Sequence, residues 1–173
     1  MSSAAVGDLA RMLAVLDEHS RLEHAFDFEA TMQTMTADCC QHHPSIALRT
    51  DGKPACTRHY EEIFGAFPDF MLDQDGIASA PGNLVAWGSL SATMTGPWLG
   101  IDATGHSLEL PLVAIIEFRD DRVVGETLHY DSATWCRQLS LRHDQLLDAS
   151  ARFTASWSGV SEYGSLGPET SAR

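Results

Sequence analysis

Alternation between apolar and polar positions dominates the second half of the chain. From His106 to Phe118, one side carries His106, Leu108, Leu110, Leu112, Ala114, Ile116 and Phe118, and the other carries Ser107, Glu109, Pro111, Val113, Ile115 and Glu117. A period of two with one side almost wholly apolar predicts a strand with one buried face. Asp120-Asp121 follows between two runs of strand-forming residues and predicts a tight hairpin turn. The return strand sets Gly125, Thr127, His129 and Asp131 on one side and Val124, Glu126, Leu128 and Tyr130 on the other. Where this hairpin lines a cavity, His129 and Asp131 are expected to point into it. Glu126 and Tyr130 are then expected on the opposite face, in outer packing or a dimer interface.

Helical spacing governs the start of the chain. Leu9, Met12, Leu13, Leu16 and Leu22 predict a helix from about Asp8 to His24. Asp27 suits the cap of a second, short helix, with Phe28, Met32 and Met35 as its apolar stripe. Cys39 to Arg49 reads as two extended pieces broken at Pro44, where His42 and His43, as neighbours, face opposite ways. After the Asp51-Gly52 turn, Pro54 suits a first helical turn, Tyr60, Ile63, Phe64 and Phe67 form its buried face, and Pro68 ends it. Strands near Phe70–Ala78 and Leu84–Thr95 flank a Pro81-Gly82-Asn83 turn, with either face of the second free to line a pocket. Ala133 to Leu139 reads as a short helix, and Leu141, Gln145, Leu146 and Leu147 allow one or two turns more. From about Ser156 the chain is rich in Ser and Gly with little to bury. One domain over residues 1–150 and a flexible tail over 151–173 is the expected division.

Several of these pieces, in this order, resemble a known family. Ala66-Phe67-Pro68-Asp69-Phe70, Thr95-Gly96-Pro97-Trp98-Leu99-Gly100, Ala103-Thr104-Gly105, the hairpin, His129-Tyr130-Asp131 and Arg137-Gln138-Leu139 are similar to the SnoaL-like polyketide cyclases of the NTF2-like superfamily. The resemblance implies an α+β cone, with a curved, mainly antiparallel sheet packed on the N-terminal helices around a pocket. It implies a homodimer or small homo-oligomer through the outer sheet face, and it puts the region of His42 and His43 near the pocket rim. Two departures stand out. Ala92-Thr93-Met94 replaces a common Gly-Thr-His, and Ser140 follows Gln138-Leu139 where Gly is common.

Composition narrows the partners. The net charge of −13 and pI near 4.8 argue against nucleic acid and anionic membrane surfaces. Nothing reads as a membrane span or a secretory leader, and the four cysteines form no CxxC pair, so a reduced, cytoplasmic protein is expected. No nucleophile elbow, zinc-protease helix, phosphate loop or dinucleotide fingerprint occurs, so no metal and no cofactor are expected. The remaining chemistry needs an apolar cavity and a few acid–base groups: proton abstraction beside a carbonyl, aldol ring closure, dehydration or epoxide opening.

Asp131 is the first candidate for that acid–base work, because a poorly solvated carboxylate has a raised pKa and can take and return a proton near neutrality. The handling of a carboxyl in this way is established for ketosteroid isomerase, which the resemblance implies is a relative by fold. The resemblance implies an aspartate of this kind on the late strand. Asp131 also precedes the Ala133–Leu139 helix and suits its N-cap. His129 could orient Asp131, polarise a carbonyl or relay a proton, or bond only locally. Trp87, Trp98, His106 and His43 are the candidate contacts for an apolar substrate. The expected function is acid–base catalysis on an apolar, carbonyl-bearing small molecule, of polyketide cyclase or isomerase type. An epoxide-hydrolase-like relay using Arg137 and Asp131, and a non-catalytic binding module, are the alternatives.

Overall fold

The computed structural model describes residues 3–157. A long helix α1 (Ser3–His24) and a short α2 (Phe28–Gln33) lead into strand β1 (Met35–His43). A 3-10 turn (Pro44–Ile46) separates β1 from β2 (Leu48–Asp51), and α3 (Lys53–Ala66) follows. Strands β3 (Met71–Ala80), β4 (Asn83–Thr93), β5 (Ser107–Arg119) and β6 (Arg122–Tyr130) come next, then α4 (Ser132–Gln138) and α5 (His143–Trp157).

The six strands form one curved, open sheet in the order β2-β1-β6-β5-β4-β3. All neighbours run antiparallel except β1 and β6, which are parallel. Helix α3 packs on β1, α1 on β6, and α5 on β2. The apolar side of β5 is buried as its period of two requires, with Leu108, Leu110, Leu112 and Ile116 each at most 3% exposed. On β4 the inward set is Leu84, Ala86, Leu90 and Ala92. This arrangement is the α+β, NTF2-like architecture that the resemblance implied.

Two boundaries differ from expectation. Met35 is not part of the α2 stripe. The backbone N–H and hydroxyl of Thr34 turn back on Thr31, closing the helix, and Met35 starts β1 opposite Val123. Its burial is complete all the same. At the other end, α5 runs for 15 residues, well past the one or two turns expected and past the boundary drawn at residue 150. Leu146 and Ala149 anchor it, each at most 1% exposed, and Thr154 accepts a bond from the Arg49 backbone N–H. The rest of the expected tail, 158–173, lies outside the described residues.

The hairpin between β5 and β6 decides what the cavity contains. Asp120 and Asp121 both adopt positive φ (52° and 55°), the conformation of a two-residue hairpin turn. Arg119 pairs with Arg122 and Phe118 with Val123, but the next pair is Glu117 with Gly125. Val124 is therefore an extra residue, a β-bulge. Beyond it Ile116 lies opposite Glu126, Ala114 opposite Leu128, and Leu112 opposite Tyr130. Gly125 meets β1 at this point: a Cβ there would collide with the Cys40 side chain.

Candidate active site

Between the concave face of the sheet and helices α1 and α3 lies a cavity of about 430 Å³. Its walls are mainly apolar. Leu13 and Leu16 come from α1, Ile63 and Phe64 from α3, and Leu112, Ala114 and Ile116 from β5. Helical spacing on α3 brings His59, Tyr60, Ile63 and Phe64 to one face. Phe28 stacks on Tyr60 at a ring separation of 5.9 Å and holds the phenol in place.

Polar groups meet at one wall. Gln41 on β1 and Glu126 on β6 are paired neighbours in the parallel ladder, so both project inward. Gln41 Nε2 donates to Glu126 Oε2 at 2.8 Å and to the Tyr60 hydroxyl at 2.6 Å. The Tyr60 hydroxyl donates to Glu126 Oε2 at 3.1 Å. Behind them His19 on α1 is fully buried, with Nε2 at 3.1 Å from Glu23 Oε1 and 3.6 Å from Glu126 Oε1. Glu23 sits one helical turn after His19, which is why both face the same way.

The protonation of His19 follows from its other nitrogen. The Thr34 hydroxyl donates to the Thr31 carbonyl, so its oxygen can only accept from His19 Nδ1, 2.5 Å away. Nδ1 therefore carries a hydrogen. Nε2 faces two carboxylates and, at 3.2 Å, the Tyr60 hydroxyl, whose hydrogen points to Glu126, so it holds a proton or another cation. Burial works against a charged imidazole here, but Glu23 and Glu126 outweigh it and raise the His19 pKa to about 10. Burial also pushes the Glu126 carboxyl upward. The hydrogen bond and charge of His19, with the Gln41 and Tyr60 bonds, more than reverse that and hold it below its ordinary value. The result is a buried imidazolium–carboxylate pair at the edge of an apolar cavity. His19, Glu23 and Glu126 are also the one grouping among the described residues whose donor atoms converge as metal ligands would, within 4.8 Å of one another. The proton on His19 supplies the same positive charge.

A second polar group lies on the α3 side. His59 lines the cavity and is 2% exposed. Its Nε2 is 3.1 Å from Nε2 of His43, whose Nδ1 is 3.1 Å from the Tyr130 hydroxyl. Burial pushes the His59 pKa down to about 4, and burial with the adjacent His59 pushes His43 well below its usual range.

The residues singled out in the sequence are scattered by the fold. Asp131 and His129 do not point into the cavity; both are exposed. The bulge at Val124 shifts the ladder by one residue, so His129 pairs with Val113 on the outer face. Asp131 is the N-cap of α4. Its carboxylate accepts from the Thr134 hydroxyl at 2.6 Å and the Ala133 N–H at 3.0 Å, which lower its pKa, whereas burial was expected to raise it. Glu126 and Tyr130 face inward, reversing the side expected for them. Trp87 lies on the outer face, 41% exposed and packed over Gly76. Trp98 is wholly buried among Phe67 and Trp135, away from the cavity lining. His106 is exposed at the start of β5. His43 is buried behind His59 and reaches the cavity only through it. The structure thus brings forward Glu126, Tyr60, Gln41, His19, Glu23 and His59. The signals for them were a histidine and glutamate four apart on an apolar helix, and a lone carboxylate between Val124 and Leu128.

Comparison with known proteins agrees with this architecture. The family model for SnoaL-like polyketide cyclases matches residues 14–139. Among curated proteins none matches the chain. A SnoaL-like protein from Jannaschia sp. CCS1 superposes with a TM-score of 0.68 at 18% identity, over 77% of this chain and 94% of its own. An NTF2-like protein of unknown function from Burkholderia pseudomallei K96243 gives 0.60 at 17% identity, over 75% and 98%. TerC, co-crystallised with polyporic acid, gives 0.62 at 12% identity, over 75% and 98%. At these identities the structural likeness is one of fold. The match over residues 14–139 goes further: the chain belongs to the SnoaL-like polyketide cyclase family.

Proposed function

We propose that this protein is an acid–base enzyme for an apolar, carbonyl-bearing small molecule, acting by proton transfer of the kind used in polyketide ring closure or isomerisation. The observation that carries this reading is the Glu126 carboxyl group on the wall of a mainly apolar cavity, held by the Tyr60 hydroxyl and the Gln41 amide. A ligand carbonyl that takes over the Tyr60 hydroxyl removes one donor from Glu126 Oε2 and strengthens it as a base. Glu126 then takes the proton from the carbon beside the carbonyl. The electron pair moves to the carbonyl oxygen, where the Tyr60 hydroxyl stabilises the enolate. The enolate carbon attacks a second carbonyl in a cyclisation or recovers the proton elsewhere in an isomerisation. His19 keeps the wall from accumulating unbalanced negative charge. TerC, of the same fold, was crystallised with polyporic acid, which is in keeping with a small-molecule cavity in this architecture.

The epoxide-opening alternative gains nothing from the geometry. Arg137 and Asp131 both lie on the exposed side of α4, and among the described residues no arginine lines the cavity. The outer sheet face carries the exposed, register-paired Trp87 and Val113, which supports pairing with a second copy there.

Isotope exchange tests the reading. Enolisable bicyclic ketones (1-tetralone, 2-tetralone, 1-indanone) are incubated with the protein in D2O and followed by NMR. Exchange beside the carbonyl is expected to exceed the buffer rate and to fall by about 10²–10⁴ in Glu126→Gln. No acceleration for any of the three, or equal acceleration in the variant, would overturn it.

A further inference from the structure

The charged wall accounts for one oxygen of a ligand. A different observation points to another. His59 lines the cavity and is almost wholly buried, yet its Nδ1 has no hydrogen-bond partner. A buried polar atom without a partner is costly, and on a residue that lines a cavity it is a position that a ligand atom can satisfy. The other nitrogen of the ring is fully engaged, through His43, with the Tyr130 hydroxyl.

Proton counting shows what Nδ1 can offer. Neutral His59, neutral His43 and Tyr130 together hold three mobile hydrogens, and two of them occupy the two bridges of the chain. The third sits at one end. When the Tyr130 hydroxyl donates to His43 Nδ1, His43 Nε2–H donates to His59, and His59 Nδ1 carries the hydrogen. When Tyr130 accepts instead, both bridges reverse and His59 Nδ1 is a bare acceptor. The chain can thus match a carbonyl or a hydroxyl without placing a charge in the cavity.

We propose that His59 is a ligand-binding and specificity-determining residue, whose Nδ1 receives a second oxygen function, hydroxyl or carbonyl, on the same apolar molecule whose first carbonyl lies at Tyr60 and Glu126. The His43–Tyr130 chain sets the tautomer of His59. The ligand class is therefore an apolar ring system with oxygen at two separated positions. This inference rests on the proposed reading of the cavity as a carbonyl site.

Binding of 1-tetralone is compared with that of its 5-, 6- and 7-hydroxy isomers by calorimetry. At least one isomer is expected to bind about tenfold more tightly than the parent, the gain of one good buried hydrogen bond. That gain should vanish in His59→Phe and persist in Glu126→Gln, which separates failure of this inference from failure of the acid–base reading. Tyr130→Phe leaves the cavity lining untouched and is expected to reduce the gain and to move the His59 Nδ1 resonance in ¹⁵N NMR. His59→Gln, which retains an amide, keeps the test open should the phenylalanine variant not fold. No gain for any isomer in the wild type, or a gain that survives loss of His59 or leaves the His59 resonance unmoved, would overturn the proposal.

Discussion

Two histidine clusters border one cavity and differ in charge. His19 is wholly buried and cationic; His43 and His59, buried almost as deeply, are neutral. Desolvation is the largest single influence on all three, and it favours the neutral ring in each case. The partners make the difference. His19 faces Glu23 and Glu126, whereas His59 faces His43, and His43 faces a phenol. Burial alone therefore does not set the charge of a buried imidazole; the charge of whatever it touches does. The consequence is a cavity with a charged wall suited to moving a proton and a neutral wall suited to reading an oxygen.

The largest effect expected to separate the two is in stability. His19→Leu leaves two carboxylates facing each other without a cation and is expected to cost about 3–5 kcal/mol, read by chemical denaturation. His59→Leu leaves His43 short of one neutral bond and is expected to cost about 1–3 kcal/mol. Equal losses would erase the contrast between the clusters.

The pH dependence sharpens it. His19 has its folded pKa raised from the ordinary 6.5 to about 10. Its contribution is fully present below pH 6.5 and is lost as pH rises through about 10. His59 is lowered to about 4, so the folded state resists a proton that the unfolded chain takes up, and stability is lost as pH falls from 6.5 toward 4. Each slope is at most about 1.4 kcal/mol per pH unit. Denaturation midpoints of His19→Leu are expected to lose the alkaline slope alone, and those of His59→Leu only part of the acid slope, the rest belonging to the buried His43. Loss of the same slope in both variants would contradict the difference in charge state.

The smallest expected effect lies outside both clusters. Asp131→Ala removes the cap of α4 and is expected to lower the melting temperature by a few degrees without changing ketone exchange. A matching fall in exchange would return Asp131 to the chemistry.

That last test marks where the sequence was hardest to read. The separation of residues 124–130 into two sets was legible, since it follows from the strand period alone. The choice of inward set was not. An unbroken ladder from a two-residue turn at Asp120-Asp121 would set His129 opposite the buried Leu112; the extra Val124 sets Tyr130 there. Only Gly125, pressed against Cys40 of β1, hinted that the ladder deviates. His19 and Glu23 were visible as a helical pair, but their meaning depends on Glu126, more than a hundred residues away.

Periodicity, turn chemistry and the order of short motifs were enough to determine the architecture: the helices at the start, the long β5, the hairpin and the family. These are local features, and each repeats its message over many residues. The cavity and its charges were decided by tertiary structure. A one-residue bulge reverses which side of a strand is wet, and a buried proton's place depends on carboxylates that only folding brings together.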